Sequence, residues 1–422
     1  MLTISQLEEN TTEVIRLLAI KNIDAEARIN EILSLDQARK STQKDNNDVQ
    51  ADLNSFAKEI GLLFRNKEID KANELKVKTS DLKEKAKLLQ EKQQEIEEKI
   101  HSLIIELPNI PHPSVKAGIN EDDNELIEQH GEIFETDAIP HWEIATKAGI
   151  IDFETGNKLT GAGFPVYIGK GAKLQRALIS YFLDKASEQG FIEIEAPIMV
   201  NEESAYATGQ LPDKDGQMYY VNEDKLYLIP TAEVPLTNIY RDTIVSQNDL
   251  PIKLTGYTPC FRREAGSYGK NVRGLNRLHQ FDKVEIVQIT KPENSYKTLD
   301  EMVKYVAGLI KELDLPFRIM RLCGKDLSFT AALTFDFEVY SAAQKRWLEV
   351  SSVSNFESFQ TSRLKLRYKD ENNKNQLAHT LNGSALALPR ILAALLENNQ
   401  EGNTIKIPEA LTKYTGFDKI EF

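Results

Sequence analysis

Cysteine is nearly missing from this chain of 422 residues: Cys260 and Cys323 stand far apart, outside any Cys-x-x-Cys pair. That excludes a disulfide framework and a cysteine-built zinc centre. It suits a reducing cytosol, so a cytoplasmic protein with two small buried thiols is expected. Long apolar runs are missing too. The nearest candidate, 385–396, is broken by Pro389 and Arg390 and falls short of the roughly 20 residues that span a bilayer, so no membrane partner is expected. The segment from Met1 to Glu9 is acidic and leads into no apolar core, which argues against a signal peptide. Positive charge is in deficit, since 52 Lys and Arg against 65 Asp and Glu leave −13. A nonspecific nucleic-acid coat is thereby excluded, whereas a local basic strip can still meet a phosphate backbone. The chain has no internal repeats or low-complexity tracts. What remains has apolar content and length for two or three domains.

The strongest periodicity lies between residues 27 and 107. Leu75, Leu82, Leu89, Ile96 and Leu103 recur every seven residues, and Ala72, Thr79, Ala86, Gln93 and Ile100 fill the other seam position. This pattern predicts a long helix packed on a partner helix. Upstream, Val49, Leu53, Phe56, Ile60 and Leu63 step by fours and threes, but Arg39 and Asn46 fall where apolar residues are expected. A break around 65–70 predicts that the helices fold back as an antiparallel coiled-coil hairpin. Each arm would be on the order of 50 Å long at about 1.5 Å per residue. On the second helix Lys76, Lys78, Lys83, Lys85, Lys87 and Lys92 outnumber Asp81, Glu84 and Glu91. Most such hairpins are oligomerisation or spacer elements, yet a basic outer half also suits a phosphate backbone. Pro108, Pro111 and Pro113 then end the helix and stiffen the exit. A domain boundary follows there, dividing 1–108 from 109–422.

The chemistry-bearing residues lie beyond it. Cys260-Phe261-Arg262-Arg263-Glu264-Ala265-Gly266, followed by Arg277-Leu278-His279-Gln280-Phe281, reads as two strands joined by a loop that carries Lys270 and Arg273. Strand alternation puts Arg262 and Glu264 on one face, with Phe281 over the same surface. A guanidinium for phosphate, a carboxylate for the adenine amine and a ring for the base suit ATP. An isolated Arg-x-Glu is more often a surface ion pair. Thr231-Ala232-Glu233 reads as a strand offering a hydroxyl and a carboxylate to an ammonium group, or simply as a cap. In Glu349-Val350-Ser351-Ser352, alternation places Glu349 and Ser351 together, and such oxygens are ligands Mg²⁺ prefers; an ordinary structural strand has the same pattern. Arg390 stands at the start of a helix running to Asn398, where free amides welcome anions. His279, inside a strand, reads as a structural histidine.

Over Thr258 to Glu285 the sequence resembles motif 2 of the class II aminoacyl-tRNA synthetases in its seryl form: Cys-Phe-Arg-x-Glu-Ala-Gly-Ser-Tyr-Gly, then His-Gln-Phe-x-Lys-Val-Glu. The resemblance continues along nearly the whole chain in the family's order. The helix 171–190 and the strand Phe191 to Pro197 are similar to motif 1, the dimer-forming element. Thr208-Gly209-Gln210-Leu211-Pro212 resembles the loop over the amino acid, and Thr380 to Arg390 resembles motif 3. The implied fold is α+β, an antiparallel sheet flanked by helices with a projecting N-terminal hairpin. The implied activity is activation of L-serine with ATP to seryl-adenylate and transfer to tRNA(Ser), and to tRNA(Sec) where the organism has one. The hairpin would hold the long variable arm of the tRNA, and the enzyme would be a homodimer.

The resemblance also assigns residues. Arg262 and Arg390 would be catalytic. Thr231, Ala232, Glu233, Arg262, Glu285, Asn382 and Ser384 would bind serine. ATP would meet Arg262, Arg263, Glu264, Leu278, Phe281, Glu349, Val350, Ser351, Ser352 and Arg390, while Glu349 and Ser352 would hold Mg²⁺, with no zinc. A protein base is not needed, because the serine carboxylate is already ionised. Ala207, Ala385 and Pro389 depart from the family pattern, each standing where glycine is common. Two rival classes remain at this stage. One is an activating enzyme that loads a carrier protein, which would lack the long hairpin and usually bind zinc; the other is a binding protein that keeps only the fold, which would have lost Arg262, Glu264 or Arg390.

Overall fold

The computed structural model describes residues 1–133, 137–265 and 273–422. Lys270 and Gly266 of the motif 2 segment lie outside them. The chain divides into two compact units, one of Met1–Ala19 with Ile23–Pro108 and the other of Ile20–Asn22 with Asn109–Phe422.

In the first unit two short helices, Ile4–Glu9 and Thr11–Ile20, precede α1 (Glu26–Arg65) and α2 (Ile69–Ile104). Lengths of 40 and 36 residues give arms of about 60 Å and about 54 Å. Every predicted seam residue of α2, from Ala72 to Leu103, is buried or half-buried, while the residues beside them from 71 to 102 are exposed. At Arg39 the weak stretch of the α1 seam is satisfied by polar pairing. Asp36, only 2% exposed, meets Arg39 at 2.7 Å and Lys40 at 2.8 Å, and these two cations hold its carboxyl below the usual range against burial, which pushes it up. The buried Asn46 Oδ1 has no hydrogen-bond partner.

The second unit is built on an eight-stranded sheet. In chain order its strands are β1 (Glu125–His130), β2 (Ile192–Glu193), β3 (Ile252–Phe261), β4 (Gln280–Thr290), β5 (Phe317–Arg321), β6 (Leu333–Ser341), β7 (Arg346–Glu357) and β8 (His379–Ala387). They lie side by side as β1-β5-β6-β7-β8-β4-β3-β2. All neighbours are antiparallel except β2, which runs parallel to β3. Three helices with apolar stripes cover the sheet: α4 (Lys170–Glu188), α7 (Ser295–Glu312) and α9 (Leu388–Asn398). Leu178 and Phe182, Met302 and Val306, Ile391 and Leu392 join Ile286, Phe337 and Val353 in one core, all essentially inaccessible. Shorter helices used below are α3 (His141–Lys147), α5 (Glu202–Ala207), α6 (Glu233–Asn238) and α8 (Phe359–Leu364).

Edge strand β2 is shorter than the predicted strand 191–197. Its continuation is tied by Ile194 N to Thr255 O at 2.8 Å. Gly256 is required beside it, because a Cβ there would lie 2.8 Å from the Ile194 carbonyl oxygen.

Candidate active site

The central strands carry an acidic cup. Glu285, fully buried in β4, pairs with Gly256 on one side and Ser384 on the other. Its oxygens accept from Thr231 Oγ1 at 3.1 Å and Asn382 Nδ2 at 3.1 Å, and Lys283 Nζ lies 2.5 Å away. Asn382 Nδ2 also donates to Glu233 at 2.8 Å, and Gln360 Nε2 donates to the other Glu233 oxygen at 2.6 Å. Two buried carboxylates thus share one asparagine. Burial, then the charge of Glu285, pushes Glu233 from 4.5 up to about 7, while Gln360, Lys283 and Arg262 pull the other way. Thr231 and Glu233 are not on a strand as expected. The strand ends at Leu228, and Glu233 opens α6, its N–H donating to Thr231 Oγ1 at 3.2 Å. A turn brings both groups inward in a way alternation cannot. The Ala232 side chain joins an apolar cluster with Leu236, Ile252 and Leu254, so only its backbone faces the cup. Ser384 is buried, and its carbonyl accepts from Ser351 Oγ at 2.6 Å.

Beside the cup lies a cation–ring slot. Phe281 pairs with Cys260 across β4 and β3, and the Arg262 guanidinium sits 5.3 Å from the Phe281 ring centroid. Arg262 and Glu264 do not alternate on a strand, which corrects the expectation. Strand β3 ends at Phe261, and Glu264 adopts φ +48, turning its side chain to Arg277 at 2.9 Å. Arg263 is held by its backbone N–H to Gln217 O at 2.9 Å. Leu278 is buried in the core. His279 stacks on Phe164 at 5.4 Å and shares a hydrogen bond with Tyr219 Oη at 2.9 Å, engagements that fit a structural histidine.

The third group lies on β6 and β7. Here too the expected alternation fails. The pairing of β6 with β7 shifts between Phe337 and Glu338, which face Ser351 and Glu349, so Val350 is an extra residue in a bulge. As a result Val350 and Ser351 both turn inward and are buried, whereas Glu349 and Ser352 emerge on the same face. Ser352 Oγ donates to Asp336, directly across on β6. Poor solvation and the Glu349 charge hold the Asp336 carboxyl well above its usual range. An all-oxygen set with excess negative charge fits a hard cation that completes its shell with water and phosphate. Among the described residues no group of three or more His, Cys, Asp or Glu is disposed to hold a metal alone. Arg390, in the first turn of α9 after Pro389, donates to Asn276 O at 3.1 Å and Glu349 O at 2.6 Å. Its guanidinium is 3.5 Å from the Glu349 carboxylate. Pro389 therefore sits where a missing N–H does no harm.

Residues 218–399 match the family described as tRNA synthetase class II core domain (G, H, P, S and T), and residues 1–111 match the seryl-tRNA synthetase N-terminal domain. The serine–tRNA ligase of Salinibacter ruber is 50% identical over 424 residues, covering 100% of this chain and 99% of that one. The chain belongs to the seryl-tRNA synthetase family. Among solved seryl-tRNA synthetases, the Pyrococcus horikoshii protein complexed with ATP superposes with a TM-score of 0.94 at 33% identity, covering 100% of this chain and 99% of that one. The cytoplasmic serine–tRNA ligase of Naegleria fowleri in complex with AMP gives 0.89 at 26% identity with the same coverage. The α+β architecture expected from the sequence is thus the fold shared with these solved relatives. No helix among its described residues is long and apolar enough to cross a membrane.

Several residues of the site escaped sequence reasoning. Gln360 bridges Glu233, the Thr208 carbonyl at 3.3 Å and the Thr380 hydroxyl at 2.7 Å. Arg363 donates to the carbonyls of Tyr206 and Leu211, each at 3.1 Å, and so anchors the loop 208–212. Nothing in the local pattern of α8 marks either. Lys283 had a signal: two residues before Glu285 on a strand, it shares the carboxylate's face. At Ala207, which ends α5 and is buried, no positive φ occurs; Gly209 supplies it at +90.

Proposed function

We propose that this ATP-dependent aminoacyl-tRNA ligase activates L-serine and charges tRNA(Ser), and tRNA(Sec) where the organism has one. The observation that carries this reading is the buried acidic cup. Glu233 and Glu285 lie within hydrogen-bond reach of one asparagine amide; Lys283 pairs with Glu285, and the second desolvated carboxylate calls for a cationic ligand. Free serine supplies one in its ammonium group. Thr231 and the two carboxylates are its acceptors. Asn382 and Ser384 line the same strand face, where a serine hydroxyl finds polar partners that alanine would leave unpaired.

Phe281 and Arg262 form the adenine and α-phosphate side, with Arg263, Glu264 and Leu278 shaping its wall. Arg390 grips the outer phosphates from the start of α9, where helix amides add positive potential. Glu349 and Ser352, with the Val350–Ser351 backbone behind them, would hold Mg²⁺, which would supply positive charge beside the phosphates. A serine carboxylate oxygen bonds to the α-phosphorus while the bond to the α,β-bridging oxygen breaks, releasing pyrophosphate. A terminal ribose hydroxyl of the tRNA then bonds to the seryl carbonyl carbon as AMP leaves. Alignment and charge stabilisation by Arg262 and Arg390 suffice for the first step.

The unit spanning 1–108 is the tRNA-binding domain in this reading, supported by the lysine-rich outer half of α2. The helix and strand from Gly171 to Pro197 are the homodimer element, supported by the 62% exposure of Ile192 on the sheet edge. The cytoplasm is the expected compartment. Serine-dependent exchange of pyrophosphate into ATP tests the core claim. Exchange with serine and not with alanine or glycine is expected; no exchange with serine, or exchange only with the smaller amino acids, removes it.

A further inference from the structure

A buried hydrogen-bond network joins motifs 2 and 3 to segments outside them and converges on Arg390. His141 and Glu397 are both almost wholly buried. His141 Nδ1 lies 2.7 Å from Glu397 Oε1, and the Leu275 N–H points at His141 Nε2 from 2.8 Å. Nε2 must therefore be the acceptor, which puts the proton on Nδ1, facing the carboxylate. Gly274 makes the approach possible: its φ is +68, and a Cβ would lie 2.2 Å from Nε2. Arg273 adds a second tie, its guanidinium 5.0 Å from the Trp142 ring. The end of the motif 2 segment is thus fastened to the start of α3.

Gln344, half-buried in the turn between β6 and β7, carries the network onward. Its Nε2 donates to Glu397 at 3.2 Å and to Asn276 Oδ1 at 3.3 Å, and its Oε1 accepts from Asn276 Nδ2 at 2.9 Å. Its Oε1 also accepts from Arg346 Nε at 3.1 Å, and its backbone N–H donates to Ser341 Oγ at 3.0 Å. Ser341 Oγ in turn donates to Glu397. The Asn276 carbonyl then accepts from Arg390 Nε at 3.1 Å. A chain from one buried carboxylate therefore fixes the acceptor that orients Arg390.

We propose that the Gln344–Asn276 amide pair, seated on the His141–Glu397 pair, is a positioning element that sets Arg390 for the triphosphate. In this reading Gln344 acts through Asn276. Three segments distant in sequence must be correctly docked before Arg390 is aimed, and His141, Gln344 and Glu397 lie outside the three motifs. The inference rests on the proposed role of Arg390, and the test separates the two.

The test is Gln344→Ala in the full-length enzyme, read by serine-dependent ATP–pyrophosphate exchange, with Gln344→Glu as a second, volume-conserving variant should Gln344→Ala fail to fold. Loss of the pair should raise the KM for ATP about tenfold and leave the KM for serine within about twofold, a split that a merely structural role would not produce. In the Arg390→Ala background the same substitution should add nothing, since both remove one coupled function. If Arg390→Ala leaves the KM for ATP unchanged, the Arg390 assignment falls and this inference with it. If Arg390→Ala raises it but neither Gln344 variant does, or the losses simply add, the positioning role alone is overturned. Equal changes in both KM values also overturn it.

Discussion

If Glu233 meets the serine ammonium as proposed, serine binding must depend on pH. Desolvation first and Glu285 second raise its carboxyl from 4.5 to about 7. At about 1.36 kcal/mol per pKa unit, holding it ionised above neutrality costs the unliganded fold about 3 kcal/mol. The folded state binds this proton more tightly than the unfolded chain. Its stabilising contribution is therefore complete below the unfolded value near 4.5 and is lost as pH rises through about 7. A serine ammonium needs the carboxylate form and offsets that loss. The apparent KM for serine at saturating ATP should thus be about tenfold higher at about pH 6 than at about pH 8, following the ionised fraction. The rise in melting temperature caused by serine should be larger at the higher pH. Glu233→Gln should raise the KM and flatten its pH dependence. A serine KM that stays constant within about twofold across that range in the unmodified enzyme, with the KM for ATP also constant, refutes the assignment of Glu233 as the group that meets the ammonium.

Three other outcomes are expected. Gln360→Ala removes a hydrogen bond to a buried carboxylate, a loss of about 1.5–3 kcal/mol, and should raise the KM for serine roughly ten- to hundredfold with the KM for ATP unchanged in exchange assays. Arg262→Ala should lower exchange by about 10²–10³-fold, as expected for removing one charge-stabilising donor, without lowering the melting temperature; near-normal adenylate formation would contradict its role. Deleting residues 43–90, the outer hairpin, should spare exchange and cripple tRNA charging, measured as acid-precipitable serine on tRNA; full charging would reduce the arm to a spacer.

Where the sequence was legible, one periodicity ran long enough to dominate. Seven-residue spacing along α2 identified each seam residue, because helix geometry repeats without interruption. The active-site strands were legible as motifs yet misread in detail, each time for the same physical reason. Alternation assumes an unbroken strand, and the Val350 bulge, the positive φ at Glu264 and the turn before α6 each break it. At Val350 the break is what puts Glu349 with Ser352 and not with Ser351. Gln360, Gln344 and Asp336 were invisible for a different reason. Their partners come from distant segments, so no local window contains the contact that defines them.

The sheet edge leaves one consequence for mutagenesis. From the Ile194 amide a hydrogen bond reaches the Thr255 carbonyl at 2.8 Å, and the Thr255 hydroxyl reaches the Glu285 carbonyl at 2.9 Å. The outer rim and the backbone of the strand that carries Glu285 are therefore two bonds apart. A substitution near Ile192 that looks harmless by its exposure can disturb the backbone beside Glu285. If that rim is the homodimer element proposed above, the partner acts on the strand of Glu285 at short range.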